Sequence, residues 1–386
     1  MSPYENNRIR SVFAPVVALQ FSSTQLDDCR NFLATRSANT ECVPVVDESQ
    51  LLMNSAGQLA ESGYRFNAIG FEALARVLSG GLGAIFNELS GEAYRGVVRE
   101  DRPTNLAAAV GIYNTTMHVR FESLRERTLL VNHQEKSVDG FLGLDHRMLD
   151  NMVFFDIVQR ELAEKQPQAV FLRAELIGRE LRLFYIDPTT KRTDIHPNPK
   201  HSFAAGWYFA NREESGYAVR GSSCLFTRLG VAIAPASQAA KLVHMGADLT
   251  GRTGVMVGNV ASKTIDMEAV ARQMQNLLST SLDFSDNTVD FDAAIKHWSE
   301  YVTKFKIRRD LGKQIAKNAA LVGSDLEPRD PIEVYTKAGL SGRNAYDLVC
   351  SILRQSRSEY ATYRDLLQGL AMRMLLPEGK STEKKR

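Results

Sequence analysis

The stretch from Lys304 to Lys317, KFKIRRDLGKQIAK, sets six cations against the single acid Asp310 and carries the sharpest chemical signal in the chain. At about 100° per residue, a helix through it places Lys306, Arg309, Lys313 and Lys317 on one face and Ile307, Leu311, Ile315 and Val322 on the other. One side then packs, and the other presents a row of cations able to follow a phosphate backbone. An ordinary solvated helix face is the competing reading of such a run. A second ingredient for nucleic acid is a set of rings on an open strand, because unpaired bases stack on flat side chains at roughly 1–3 kcal/mol each. Trp207, Tyr208 and Phe209 lie together in one expected strand, beside Tyr217 and Arg220 in the next. Alternation sends Trp207 and Phe209 toward a core and leaves Tyr208, Arg212, Tyr217 and Arg220 as the expected exposed strip.

Other chemistries lack an anchor. Gly216 and Gly221 have P-loop spacing, but Ser222 stands where the lysine is required and the segment reads as a strand. None of the seven histidines, His118, His133, His146, His196, His201, His244 and His297, belongs to a His-Glu-x-x-His pair. Asp194, His196 and His201 could converge in a Pro-rich loop, but a plain surface loop is the better reading because no regular structure fixes their spacing; Asp145, His146 and Asp150 suit the start of a helix. No Gly-x-Ser-x-Gly elbow or kinase signature is present. No catalytic residue, metal ligand or cofactor is therefore expected, and a metal-dependent enzyme using those Asp and His residues is the weakest alternative.

The elements that would position these groups are an irregular segment over 1–58 with a short helix from Leu26 to Leu33, then a core unit over 59–288. Asn67 is a natural N-cap for a helix carrying Phe71, Leu74, Ala75 and Leu78, and Gly80-Gly81 stops it. A second short helix is expected over Leu82 to Leu89. From Asn105 to Val131 alternation predicts strands, most clearly over Thr115 to Phe121, covered by an amphipathic helix from Leu149 to Leu162. Ala169 to Asp187 reads as a hairpin turning at Gly178, and Ser202 to Ala210 and Gly216 to Thr227 as two further antiparallel strands. Past Pro235 only helices are expected: a stripe of Met267, Val270, Met274, Leu277 and Leu278, a helical region over 289–377, and a solvated tail over 378–386. The fold class is α+β, a curved antiparallel sheet packed by helices and followed by a helical C-terminal region.

Apolar residues form 44% of the 386 and charged residues 24%, which excludes disordered and fibrous classes. No apolar run spans a bilayer, and the start lacks a secretory pattern, so a cytoplasmic protein is expected. The formal charge of +2 means that any surface for a polyanion must be local. Cys29, Cys42, Cys224 and Cys350 include no Cys-x-x-Cys and are expected to be reduced.

Several pieces together resemble the phage- and plasmid-borne proteins grouped as domain-of-unknown-function family 932. They are Tyr64-Arg65-Phe66-Asn67, Arg127 to Leu130, Gly140 to Asn151, the hairpin, Asn211 to Gly216, Cys224 and His244, with an echo in Thr362 to Leu366. Gly143 and His146 stand where that family's pattern has Ser and Tyr. The resemblance implies a bacteriophage or other mobile-element protein acting in DNA metabolism, with kinship to ring-forming single-strand annealing recombinases. Joined to the cation row, it gives an expected function: ATP-independent binding and annealing of single-stranded DNA by a homo-oligomer, in recombination or replication. The alternative is a phage interaction protein that binds and redirects a host protein through its helical C-terminus.

Overall fold

A computed structural model describes residues 13–78, 82, 105–143, 148–191, 203–214, 219–227, 230–233, 240–242, 258–259 and 264–265. The larger of its sheets is a meander. β6 (Val170–Ile177), β7 (Glu180–Ile186), β8 (Phe203–Arg212) and β9 (Val219–Thr227) pair antiparallel in chain order. β1 (Ala18–Ser22) is added outside β6, while β10 (Gly230–Ile233) and β11 (Ala240–Leu242) share the outer edge of β9. A second sheet has the order β2 (Thr40–Pro44), β4 (Thr128–Asn132), β5 (Ser137–Leu142), β3 (Arg65–Phe66), and only its β3–β5 pair is parallel. The described region is thus α+β, with one antiparallel and one mixed sheet.

Period-2 alternation decides what each face of the large sheet touches. Phe171, Ala174, Leu181, Leu183, Tyr185, Trp207, Phe209 and Val219 point to one side. There they bury against helices α1 (Leu26–Ala38) and α4 (Asn151–Lys165), through Cys29, Leu33, Phe154, Phe155, Val158 and Leu162. The mixed sheet forms its own core with α2 (Ala68–Leu78) and α3 (Leu106–Leu124) around Phe66, Phe71, Leu74, Tyr113, Met117 and Val138. The helix expected from Leu149 to Leu162 therefore covers the large sheet and not the strands of the 105–131 region.

Local signals predict the best-formed elements. Asn67 caps α2 by accepting the Gly70 N–H at 2.8 Å, and Phe71, Leu74, Ala75 and Leu78 are all buried. Asp150 caps α4, accepting the N–H groups of Met152 and Val153. The β6–β7 hairpin turns in two residues, with Gly178 at φ 59° in the first position, as a type II′ turn requires.

Three expectations are corrected. The strands expected between Asn105 and Val131 are mostly α3, a 19-residue helix; only Thr128–Asn132 is extended. Ala109, Val110, Tyr113, Met117 and Leu124 form its buried stripe, and Val119, an inward residue of the apparent alternation, is 72% exposed. Thr115 and Thr116 donate their hydroxyls to the carbonyls of Gly111 and Ile112 one turn back, which lets two β-favouring residues sit inside a helix. The stretch within 1–58 expected to be irregular supplies β1, the whole of α1 and β2, each tied to a sheet by backbone pairing or apolar contact. Past Pro235, β11 and the pair β12 (Gly258–Asn259) and β13 (Thr264–Ile265) are extended, so that region is not helical throughout.

Candidate functional site

The two sheets meet at a buried ionic joint. Asp139, on β5 and 0% exposed, is its centre. Its Oδ2 accepts from Arg179 Nε at 2.7 Å and Arg36 Nη2 at 3.2 Å, and its Oδ1 accepts from Asn67 Nδ2 at 2.9 Å and the Ser137 hydroxyl at 2.6 Å. Arg179 occupies the tip of the β6–β7 hairpin, so the large sheet reaches across with a guanidinium. Its Nη1 donates to Thr40 Oγ1 on β2 at 2.8 Å and to Glu213 Oε2 at the end of β8 at 3.2 Å. The Arg179 carbonyl accepts from Asn151 Nδ2, and Glu213 accepts the Asn151 backbone N–H at 2.6 Å, bringing in the start of α4. Asn211 completes the web by donating to Leu149 O and Asn151 Oδ1.

Close approach at two glycines makes this joint possible. A Cβ at Gly140 would lie 2.8 Å from Glu214 Cβ, so the turn after β8 can rest on β5 only because no side chain intervenes. A Cβ at Gly178 would meet Ile69 Cδ1 at 2.5 Å, which seats the hairpin tip against α2.

Burial and charge act against each other here. Burial pushes the Glu213 carboxyl up to about 7, although Arg179 pulls it down. Burial also opposes the charge on Arg179, but Glu213 and Asp139 outweigh it and keep the guanidinium ionised. Glu135 is raised by burial against the pull of Arg36, with which it forms an ion pair at 3.7 Å.

The outer face of the large sheet carries a ladder of opposite charges. Arg173 pairs with Glu175, Arg182 with Glu180, and Arg212 Nε with Glu214 Oε1 at 2.6 Å, each two residues apart in the chain, while the register sets Glu175 opposite Arg182 and Glu180 opposite Arg212. Arg212, expected on an exposed cationic strip, therefore has its charge matched by Glu214. Tyr208 corrects the same expectation. It does point away from Trp207 and Phe209, yet it is 2% exposed, 5.2 Å from the Phe184 ring, in a second apolar cluster with Ala210, Cys224 and Phe226. Both faces of β8 are covered, so this ring has no free side on which a base could stack. The Arg220 backbone pairs with Ala210 and Lys241 in β9; its side chain lies outside the described residues, as do Tyr217, Lys306, Arg309, Lys313 and Lys317. The helices expected at 83–89 and past 265, and Asp145, His146, Asp194, His196 and His201, lie outside them too.

A second polar assembly lies at one end of the mixed sheet. Tyr64 precedes β3, His133 follows β4, and Glu41 sits near the start of β2, which runs antiparallel to β4. The strand ends thus gather three residues that are far apart in the chain. Tyr64 Oη is 2.9 Å from His133 Nδ1, and His133 Nε2 is 2.8 Å from Glu41 Oε2. A carboxylate can only accept, so Nε2 carries a hydrogen; in the neutral ring Nδ1 then accepts, and the Tyr64 hydroxyl donates. The imidazole and carboxylate remain 44% and 58% exposed. The backbone fixes two of its three members, since Leu59 N–H donates to Tyr64 O and His133 N–H donates to Asn39 O.

Neither assembly is apparent as a motif, because each is built from residues many positions apart. The available hints were an arginine at a two-residue hairpin tip and an Asp-Gly pair inside an apolar strand. Among the described residues no group of three His, Cys, Asp or Glu could hold a metal ion, and no helix is long and apolar enough to cross a membrane. Cys29, Cys42 and Cys224 are free thiols. Comparison with family models, with curated proteins and with solved structures finds no match to this chain.

Proposed function

We propose that this protein binds single-stranded DNA without ATP and anneals complementary strands as a homo-oligomer, in the recombination or replication of a bacteriophage or related element. The observation that carries the reading is the spacing of Lys306, Arg309, Lys313 and Lys317, which on a helix would form one row opposite Ile307, Leu311 and Ile315, in a stretch with one acid among six cations. Cations at that spacing replace condensed counterions along a sugar–phosphate strand. A monomer with formal charge +2 offers only a modest strip, and repeating it around an assembly multiplies the attraction. Arg220 and Tyr217 remain the residues to hold bases splayed for pairing. Tyr208 is withdrawn from that role by its burial, and Arg212 by its pairing with Glu214. The resemblance of Asn67, Gly140 to Asn151 and Asn211 to Gly216 to a mobile-element family supports the DNA context.

Fluorescence anisotropy with a labelled oligonucleotide tests this. Binding should weaken steeply with salt, and combined Lys306→Glu, Arg309→Glu and Lys313→Glu should flatten the slope by about three contacts. No binding by micromolar protein at about 50 mM salt overturns the proposal.

A further inference from the structure

We propose that Tyr64, His133 and Glu41 form a nucleophile–base–orienter relay through which the Tyr64 hydroxyl attacks a phosphodiester of bound single-stranded DNA. The inference rests on the DNA-binding reading above, because bound DNA supplies the phosphodiester. A nucleophilic hydroxyl needs a base within about 2.6–3.2 Å and a third group that orients the base. The contacts at 2.9 Å and 2.8 Å meet both conditions in one line.

The arrangement has little value as a brace. The Glu41–His133 pair is about half exposed and returns little stability, so the hydrogen bond that continues from His133 to the partly buried Tyr64 calls for another use. The Tyr64 ring is partly buried against the mixed-sheet core, while the half-exposed imidazole and carboxylate keep this end of the sheet open to a polymer. The Arg65 backbone N–H donates at 3.1 Å to the carbonyl of Lys136, in the turn that carries His133, which ties the Tyr64 segment to that turn; the phosphodiester as substrate follows from the DNA-binding reading.

The step balances without a co-reactant. A lone pair of Tyr64 Oη forms the bond to phosphorus, and the bond from phosphorus to one bridging ester oxygen breaks, that oxygen leaving with the electron pair. The phenolic proton passes to His133 Nδ1, Glu41 holds the resulting imidazolium through Nε2–H, and the ring returns the proton to the departing oxygen. The product is a phosphotyrosine-linked strand, with a free hydroxyl on the other fragment. Reversal by that hydroxyl, or by the end of another strand, rejoins DNA with no high-energy cofactor. Tyr64 and His133 are the catalytic residues and Glu41 is a positioning residue.

Two single-stranded oligonucleotides test the relay, one with sulfur replacing a 3′-bridging oxygen and one with sulfur replacing a 5′-bridging oxygen, each incubated with the full chain with and without magnesium. The leaving thiolate returns poorly, so a covalent adduct should accumulate from one of the two and survive denaturing electrophoresis. Mass spectrometry of the digested wild-type adduct should locate the nucleotide on Tyr64, a readout that depends on no variant folding. Tyr64→Phe should abolish the adduct, and His133→Gln should slow it about a hundredfold. Glu41→Gln should slow it at saturating DNA while leaving the half-saturating DNA concentration unchanged, as a positioning role requires. Absence of adduct from both oligonucleotides while anisotropy shows binding overturns the relay and leaves the DNA-binding reading standing. An adduct on another residue, or one that persists in Tyr64→Phe, overturns it as well. Absence of binding by the wild-type chain overturns the DNA-binding reading itself, and the relay with it.

Discussion

The four-stranded sheet carries two polar assemblies, the joint around Asp139 and the chain from Glu41 through His133 to Tyr64, and they differ chiefly in contact with water. In the joint, Asp139 and Arg179 are almost wholly enclosed, so every lone pair and N–H group that lacks a protein partner costs stability. Four donors converge on one carboxylate for that reason. In the chain, the imidazole and carboxylate are about half exposed, water can replace either partner, and the same kinds of groups contribute little to folding. Enclosure therefore turns hydrogen bonds into a fastener between sheets, whereas exposure leaves them free for chemistry. Charge alone does not separate the two cases.

The comparison breaks most visibly if the joint is weak. Asp139→Ala leaves the Arg36 and Arg179 guanidiniums buried beside a missing carboxylate and should cost about 3–5 kcal/mol, read as a lower urea midpoint. A loss below about 1 kcal/mol would mean that the guanidiniums turn out to solvent and that the sheets are held by apolar contact alone.

Glu213 sharpens the same contrast through pH. Its folded value of about 7 lies above the ordinary 4.5, so the native state holds a proton that the unfolded chain has already released. This contribution is fully present below 4.5 and is lost as pH rises through about 7, an effect on the order of 3 kcal/mol across that window. Glu213→Gln keeps an acceptor for the Asn151 N–H and removes the titration. Urea midpoints compared at about pH 5 and pH 8 should therefore differ less in the variant than in the wild type. An unchanged difference assigns the pH dependence to another group.

What the chain discloses about itself follows the reach of each signal. The α2 cap at Asn67 and the Gly178 hairpin are each decided within about four residues, and the structure reproduces both; Asp150, expected only near the start of a helix, caps α4. Residues 115–121 mimic a strand because Thr, Val and Phe alternate with polar neighbours, while the buried stripe of α3 runs at helical spacing through Ala109, Tyr113 and Met117. Alternation puts Tyr208 on the face opposite Trp207 and Phe209, as the structure has it, but does not say whether that face is covered. The joint and the relay lay beyond reach for a further reason. Asp139 meets partners 40 and 103 residues away, and His133 partners 69 and 92 away, so topology rather than spacing assembles them.

The smallest expected effect is the most informative about the relay. Glu41→Gln removes an exposed carboxylate from an edge strand and should change the unfolding free energy by less than about 1 kcal/mol, with the urea m-value unchanged. Asp139→Ala, on the same sheet, serves as the internal reference for a residue whose contacts hold the fold together. If Glu41→Gln proves as costly as that reference, the Glu41–His133–Tyr64 chain is a structural brace after all. The energetic reason for assigning it to chemistry then disappears, although its geometry would be unaltered. If the cost is small, the Glu41–His133 contact is held between separate segments with almost no gain in stability, which is the property expected of groups positioned to act on something outside the fold.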